Sequence, residues 1–267
     1  MQAMEWNPQV RRAVLLAAGR GTRLGARTLD CPKPMLPIDG KPVLEYILTG
    51  IHKAGIHAIL LVIGYRAETI RSYFGDGSRW NAEIDYVVQE EPNGTGAALA
   101  LAREFANEEP ILASYGDILT DYAHYRALLA EYAAAPCDAV IGINPMEDPS
   151  AGGAVYREGK RIVHVVEKPP PGTAGSHWNL AGVSVYGPAI WPVLSHLPRS
   201  ARGEFELTDA IEGLITAGKE VRACEMRGFW SDIGTPEAFA EAEKSWSTLL
   251  SKQDELPLSL HAVHKRN

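Results

Sequence analysis

Apolar and polar positions along this chain follow two periods that alternate. Ala13-Val-Leu-Leu-Ala-Ala-Gly19 is a short unbroken apolar run that breaks into glycine, the pattern of a strand buried on both faces. After Pro42, the residues Val43, Leu44, Tyr46, Ile47 and Ile51 recur at helical spacing and stop at Ala54-Gly55, which predicts a helix closed by a C-terminal glycine. Ala58–Ile63 reads as a second buried strand and Glu68–Phe74 as a second helix. The same reading predicts strands over Ile84–Gln89, Ile111–Tyr115 and Ala139–Ile143, with helices over Gly96–Phe105 and Tyr122–Ala134. Such alternation implies an α/β fold, doubly wound about a mainly parallel sheet, with ligands at the carboxyl ends of the strands.

From about Gly152 the pattern changes. Ala154–Tyr156, Ile162–Glu167 and Ala181–Tyr186 are short β runs divided by the Pro169-Pro-Pro-Gly172 turn, and they predict a smaller antiparallel extension. Glu206–Ala217 reads as a helix, and Glu237–Leu250 as a closing amphipathic helix. Residues 10–250 are then one domain, with parts 10–145 and 146–236 and the closing helix 237–250; residues 1–9 and 251–267 read as tails, the first of them a loose leader.

Composition narrows the function. The 267 residues carry 26 Lys+Arg against 33 Asp+Glu, a net charge of −7, which argues against wrapping nucleic acid or lying on an anionic membrane by bulk charge. No run approaches the ~18 apolar residues of a membrane span. The three cysteines, Cys31, Cys137 and Cys224, are odd in number and far apart, which points away from a disulfide framework and a cysteine zinc site and toward a reducing cytoplasm. The charge is uneven, however. Arg11 to Lys41 holds seven basic residues (Arg11, Arg12, Arg20, Arg23, Arg27, Lys33, Lys41) and two acidic ones (Asp30, Asp39), a local +5 that leaves −12 elsewhere.

That basic segment reads Leu16-Ala-Ala-Gly19-Arg-Gly21-Thr-Arg23-Leu, then Pro32-Lys33-Pro34-Met-Leu-Pro37 and Gly40-Lys41-Pro42. A strand ending in G-x-G presents bare backbone N–H groups to an anion, and Arg23 and Lys33 can bring charge to the same point. A Walker loop requires G-K-[ST], and here Thr22-Arg23 follows the second glycine. A dinucleotide fold requires a third glycine and an acid ending the second strand, where this chain has Ile63-Gly64-Tyr65, so an NAD-dependent oxidoreductase is set aside. On the loop alone, a plain glycine turn with a solvated basic face stays open. The eight histidines form no H-x-H or H-x-x-x-H pair, and no nucleophile motif is evident.

The whole string, A-A-G-x-G-T-R-L with P-K-P-M-L-P and G-K-P-V-L-E-Y after it, resembles the signature of the sugar-1-phosphate nucleotidylyltransferases. The resemblance runs in order from about Val10 to Phe239. Gln89-Glu-Glu-Pro-Asn-Gly94-Thr-Gly resembles that family's base-reading loop, Tyr115-Gly116-Asp117 its metal-binding turn and Glu167-Lys168-Pro169 its sugar-binding strand. Arg202-Gly203-Glu204 ahead of Leu207-Thr-Asp209, and Trp230-Ser-Asp232-Ile-Gly-Thr235, complete it. One departure is Gly25-Ala-Arg-Thr28, where the family commonly has a proline shortly before the Thr.

The resemblance implies a Rossmann-like sheet in which 10–145 binds nucleotide and 146–236 binds sugar. The substrates would be a nucleoside triphosphate and a sugar 1-phosphate, and the products an NDP-sugar and pyrophosphate, with Mg²⁺ as cofactor and a homo-oligomer as one option. Leu16, Ala18, Gly19, Gly21 and Thr22 would line the nucleotide, with Gln89 and Gly94 at the base in the spacing of pyrimidine-using members, which favours UTP or dTTP. Arg23 and Lys33 would neutralise the phosphates, and Asp117 and Asp232 would hold the metal. Gly153, Glu167, Lys168, Asn179 and Arg202 would meet the sugar phosphate. Mannose 1-phosphate with GTP, a muramate-type sugar 1-phosphate with UTP, and a non-catalytic nucleotide-sugar sensor or regulatory subunit remain alternatives. About 28 residues follow Phe239, so an appended hexapeptide-repeat acyltransferase domain is not expected.

Overall fold

The computed structural model describes residues 9–254; the expected leader up to residue 8 and the tail beyond Asp254 lie outside the described residues. The strands are β1 (Arg12–Ala17), β2 (Pro37–Ile38), β3 (Lys41–Pro42), β4 (Ala58–Ile63), β5 (Glu83–Val88), β6 (Ile111–Tyr115), β7 (Ile118–Thr120), β8 (Ala139–Pro145), β9 (Gly153–Glu158), β10 (Arg161–Glu167), β11 (Trp178–Tyr186), β12 (Val221–Glu225) and β13 (Trp230–Asp232). The helices are α1 (Val43–Lys53), α2 (Ala67–Phe74), α3 (Thr95–Ala100), α4 (Arg103–Ala106), α5 (Ala123–Ala134), α6 (Ile190–Ser195), α7 (Leu207–Thr216) and α8 (Pro236–Asp254).

Nine strands form one mixed sheet in the order β5-β4-β1-β6-β11-β8-β12-β10-β9. The run from β5 to β6 is parallel, β11 lies antiparallel between β6 and β8, and β8 and β12 are again parallel. Both faces are covered, which is why the central strands read as unbroken apolar runs. Ala13, Leu15 and Ala17 of β1 pack with residues of α1, α5 and α8 on one side, whereas Val14 packs with α3, α6 and α7 on the other.

Three differences from the sequence reading have physical causes. The helix expected over Gly96–Phe105 is two short helices, because the Ala102 N–H bonds to Leu99 O in a tight turn and separates α3 from α4. The antiparallel runs are part of the main sheet, with β11 at its centre and bulged between Leu180 and Ser184, where Gly182 takes φ +73°. The closing helix runs on to Asp254, four residues past the expected end. All three cysteines are unpaired, and among the described residues no helix is long and apolar enough to cross a membrane.

Candidate active site

From β1 the chain passes to β4 and β5 on one side and then returns to β6 on the other, so the strand order reverses between β1 and β6. At that switch point the carboxyl ends of two strands open a crevice. Leu16 O accepts from Gly116 N at 2.9 Å and Ala18 O from Tyr65 N at 3.1 Å, which ties the end of β1 to its neighbours. Gly19 stands in open space. Gly21 takes φ +65°, and a Cβ there would lie 2.8 Å from the Cβ of Lys33, so glycine brings the loop against that lysine. Thr22 opens a 3₁₀ segment that breaks at Gly25, whose φ of +57° suits glycine. Thr28 Oγ1 lies 3.0 Å from Gly21 O and closes the loop.

Asp117 follows β6 after Gly116, and β7 begins at the next residue. β7 pairs antiparallel with β13, placing Asp232 opposite Ile118, and Ile233 N donates to Asp117 O at 3.2 Å. This short ribbon gathers two aspartates from distant parts of the chain. Between them lies Lys33, buried, whose Nζ donates to Asp117 Oδ2 and, at 3.1 Å, to Asp232 Oδ1. Burial acts to lower the Lys33 pKa, but the two carboxylates outweigh it and raise it. Burial and the nearby Asp117 raise the Asp232 pKa, against the pull of Lys33 and Arg23. A Cβ on Gly234 would lie 2.7 Å from Arg23 Nη2 and 2.9 Å from Asp232 Oδ1, so Arg23 stands at the same point.

At the end of β5, Gln89 Nε2 donates to Asn93 Oδ1 and Gly94 O, both at 3.1 Å. The loop then docks on a distant segment: Phe205 N donates to Asn93 O and Gly96 N to Phe205 O, both at 2.8 Å, and Leu207 N donates to Thr95 Oγ1 at 3.0 Å. Gly94, at φ +118°, lies against the Phe205 backbone.

Glu167, at the end of β10, accepts from Thr208 Oγ1 at 2.6 Å and lies 3.5 Å from Arg202 and 3.7 Å from Lys168. Arg202 also pairs with Glu204 at 3.2 Å and with buried Glu206 at 2.9 Å. Burial, and then Glu167, raise the Glu206 pKa against the opposing charge of Arg202. Lys168 takes φ +43°, and its N–H is held by Gly152 O at 2.8 Å. Asn179 is turned inward rather than into this cluster: it is buried, with Nδ2 on Asn144 Oδ1 at 3.0 Å. Gly153 packs against Leu180.

The structure thus brings Gly21, Arg23, Lys33, Asp117 and Asp232 together, and separately Glu167, Lys168 and Arg202. Sequence reasoning passed over Gly234, Thr95, Phe205, Glu206 and Thr208. Each lies within or beside a motif already singled out, and what the sequence did not show is which of them touch one another. Of the seven basic residues of the first segment, Arg12 pairs with Glu109, Arg20 lies over Tyr65, Arg27 over Phe239 and Lys41 beside Glu45. Arg23 and Lys33 are the two placed at the carboxylates.

Fold and site define the class as a doubly wound α/β protein with a glycine–arginine loop and a carboxylate pair at the carboxyl ends of its central strands. Within that class the chain belongs to the nucleotidyl transferase family, whose model matches residues 12–248. It is 32% identical over 237 residues to the low-salt glycan biosynthesis nucleotidyltransferase Agl11 of Haloferax volcanii, covering 87% of this chain and 65% of that one. It is 34% identical over 224 residues to a glucose-1-phosphate thymidylyltransferase of Streptomyces griseus, covering 84% and 62%. With the bifunctional protein GlmU of Methanococcus maripaludis it shares 35% over 225 residues, covering 84% and 51%. The chain therefore spans about half to two-thirds of the length of these relatives. A solved UDP-glucose pyrophosphorylase in complex with UDP-glucose superposes with a TM-score of 0.81 at 24% identity over 90% of this chain and 99% of that one, a likeness of fold.

Proposed function

We propose that this chain transfers a nucleotidyl group from a nucleoside triphosphate, UTP or dTTP, to a sugar 1-phosphate and releases pyrophosphate. The observation that carries the reading is the meeting of Lys33, Arg23, Asp117 and Asp232 beside the G-x-G loop. An oxygen of the sugar phosphate attacks the α-phosphorus in line with departing pyrophosphate. Both reactants are anions, so the work of the protein is alignment and charge neutralisation, with no covalent nucleophile needed. Gly19 and Gly21 offer backbone to the triphosphate, and Arg23 and Lys33 bring positive charge to the phosphates. Gln89, held beside Gly94, presents a planar amide to a pyrimidine. Arg202 meets the sugar phosphate, and Glu167 accepts from sugar hydroxyls.

Asp117 and Asp232 fit Mg²⁺, because they are two oxygen donors already gathered around one cation, the Lys33 ammonium. When bound, Mg²⁺ supplies further neutralisation of phosphate charge. The relative named glucose-1-phosphate thymidylyltransferase supports a sugar 1-phosphate acceptor and a dTTP donor.

The test is pyrophosphate release across a grid of nucleoside triphosphates and sugar 1-phosphates with Mg²⁺. The expected result is turnover confined to pyrimidine donors. Silence across the grid while nucleotide still binds would replace this reading with a nucleotide-sugar sensor.

A further inference from the structure

The Lys33 ammonium stands between the same two carboxylates that are proposed to hold the metal, donating to Asp117 Oδ2 and to Asp232 Oδ1. Its charge and that of Arg23 balance the two aspartates, so the ligand-free pocket is already neutral. A bare dication entering it would add two uncompensated charges against an ammonium that is itself buried. A dication that arrives with a triphosphate brings its own anion, and that anion offers the ammonium new partners. The local backbone suits such an exchange. Pro32 and Pro34 flank Lys33 and fix the main chain, leaving motion to the flexible side chain, and Gly21 leaves room beside its Cβ. Lysine, a compact charge on a four-carbon stem, can turn from carboxylate to phosphate without moving the loop.

We propose that Lys33 is a stand-in for the metal: in the ligand-free protein its ammonium occupies the carboxylate pair, keeps bare divalent cations out, and yields the pair only when metal and triphosphate arrive together. This rests on the metal assignment of the preceding section and adds an order of loading to it. Lys33 is then both a phosphate contact and the gate of the carboxylate pair.

The test is Mn²⁺ binding to the protein without nucleotide, followed by the electron paramagnetic resonance of free Mn²⁺. Lys33→Met is expected to bind Mn²⁺ more tightly than wild type, by roughly tenfold or more, because a competing unit charge at the carboxylates is removed, and Lys33→Met combined with Asp117→Asn to lose that gain. Equal affinity in wild type and Lys33→Met overturns the proposal. Removing Lys33 leaves two carboxylates facing each other and can prevent folding, so a second measurement uses the wild-type chain alone. Its thermal midpoint is expected to rise with Mg²⁺ and triphosphate together beyond the rise with triphosphate alone, and to stay unchanged with Mg²⁺ alone; a rise with Mg²⁺ alone overturns the proposal. Turnover in the substrate grid without a Mn²⁺ gain in Lys33→Met rejects the stand-in and keeps the reaction. A Mn²⁺ gain with a silent grid does the reverse.

Discussion

At Gly234 one missing carbon decides how closely a cation and a carboxylate approach. The atoms that a Cβ would meet, Arg23 Nη2 and Asp232 Oδ1, are ends of side chains and can move aside. Gly234→Ala is therefore expected to change stability by no more than about 0.5 kcal/mol, yet to slow pyrophosphate release by about a hundredfold by displacing Arg23; full turnover in urea-stable protein would show that Arg23 need not stand there. Gly94 is the opposite case. Its φ of +118° and a Cβ 2.6 Å from Phe205 N put strain on backbone, so Gly94→Ala should cost about 1–3 kcal/mol in urea denaturation. Glu206 carries a pH signature. Because burial raises its folded-state pKa above the ordinary 4.5, its contribution to stability is fully present below that value and is lost as pH rises through the folded pKa. Glu206→Gln should then gain on wild type as pH rises over that window, and a difference flat with pH would place the charge elsewhere.

Among the elements, the three-residue ribbon of β7 and β13 matters most, because it alone carries Asp232 to Asp117. It is held from behind. Thr120 Oγ1 lies 3.1 Å from Phe229 O, His124 Nε2 lies 2.7 Å from Arg227 O, and Trp230 Nε1 donates to Ala181 O at 2.8 Å. Trp246 of α8, fully buried, packs its ring 5.2 Å from Phe229 and 5.4 Å from Tyr46. Trp246→Ala is expected to destabilise the fold by about 3–5 kcal/mol, read as a lowered thermal midpoint; a loss under 1 kcal/mol would mean that α8 is not needed to hold the ribbon. This ribbon was not legible in the sequence. Ile118–Thr120 and Trp230–Asp232 are too short for a period to show, and β12 mixes Arg222 and Glu225 into an otherwise buried strand. The parallel strands β1, β4 and β6 were legible because burial on both faces leaves them almost wholly apolar, with Ser114 the one polar residue inside them. The chemistry was legible wherever a motif is local, as in Gly19 to Arg23. The Arg202–Glu167 pair and the inward turn of Asn179 were not, since each depends on a partner far away in sequence, Glu167 at the end of β10 and Asn144 on β8.

Across the whole molecule, the loop from Gln89 to Gly96, proposed to read the base, and the segment bearing Arg202 are not independent. Asn93 and Gly96 are bonded through main-chain groups to Phe205, the Thr95 hydroxyl accepts from Leu207 N, and the next residue, Thr208, holds Glu167. A shift of this loop is therefore expected to move the groups around Glu167 and Arg202, proposed to meet the sugar phosphate. Two sites joined this way are expected to exchange binding free energy, and by linkage the exchange is reciprocal: each ligand changes the affinity for the other by the same factor, typically about 5- to 150-fold. The carrier can be tested at Thr95, whose hydroxyl accepts from Leu207 N. Thr95→Val keeps the volume and removes that acceptor. Titration calorimetry with a non-hydrolysable pyrimidine triphosphate and a sugar 1-phosphate, each alone and each with the other bound, gives the factor directly. The expected outcome is a factor in Thr95→Val several-fold smaller than in wild type, with the affinity for each ligand alone changed less than the factor. An unaltered factor would mean that the Thr95 contact serves packing alone and that any coupling runs by another route, and a factor of one in wild type would mean that the two ends are filled independently.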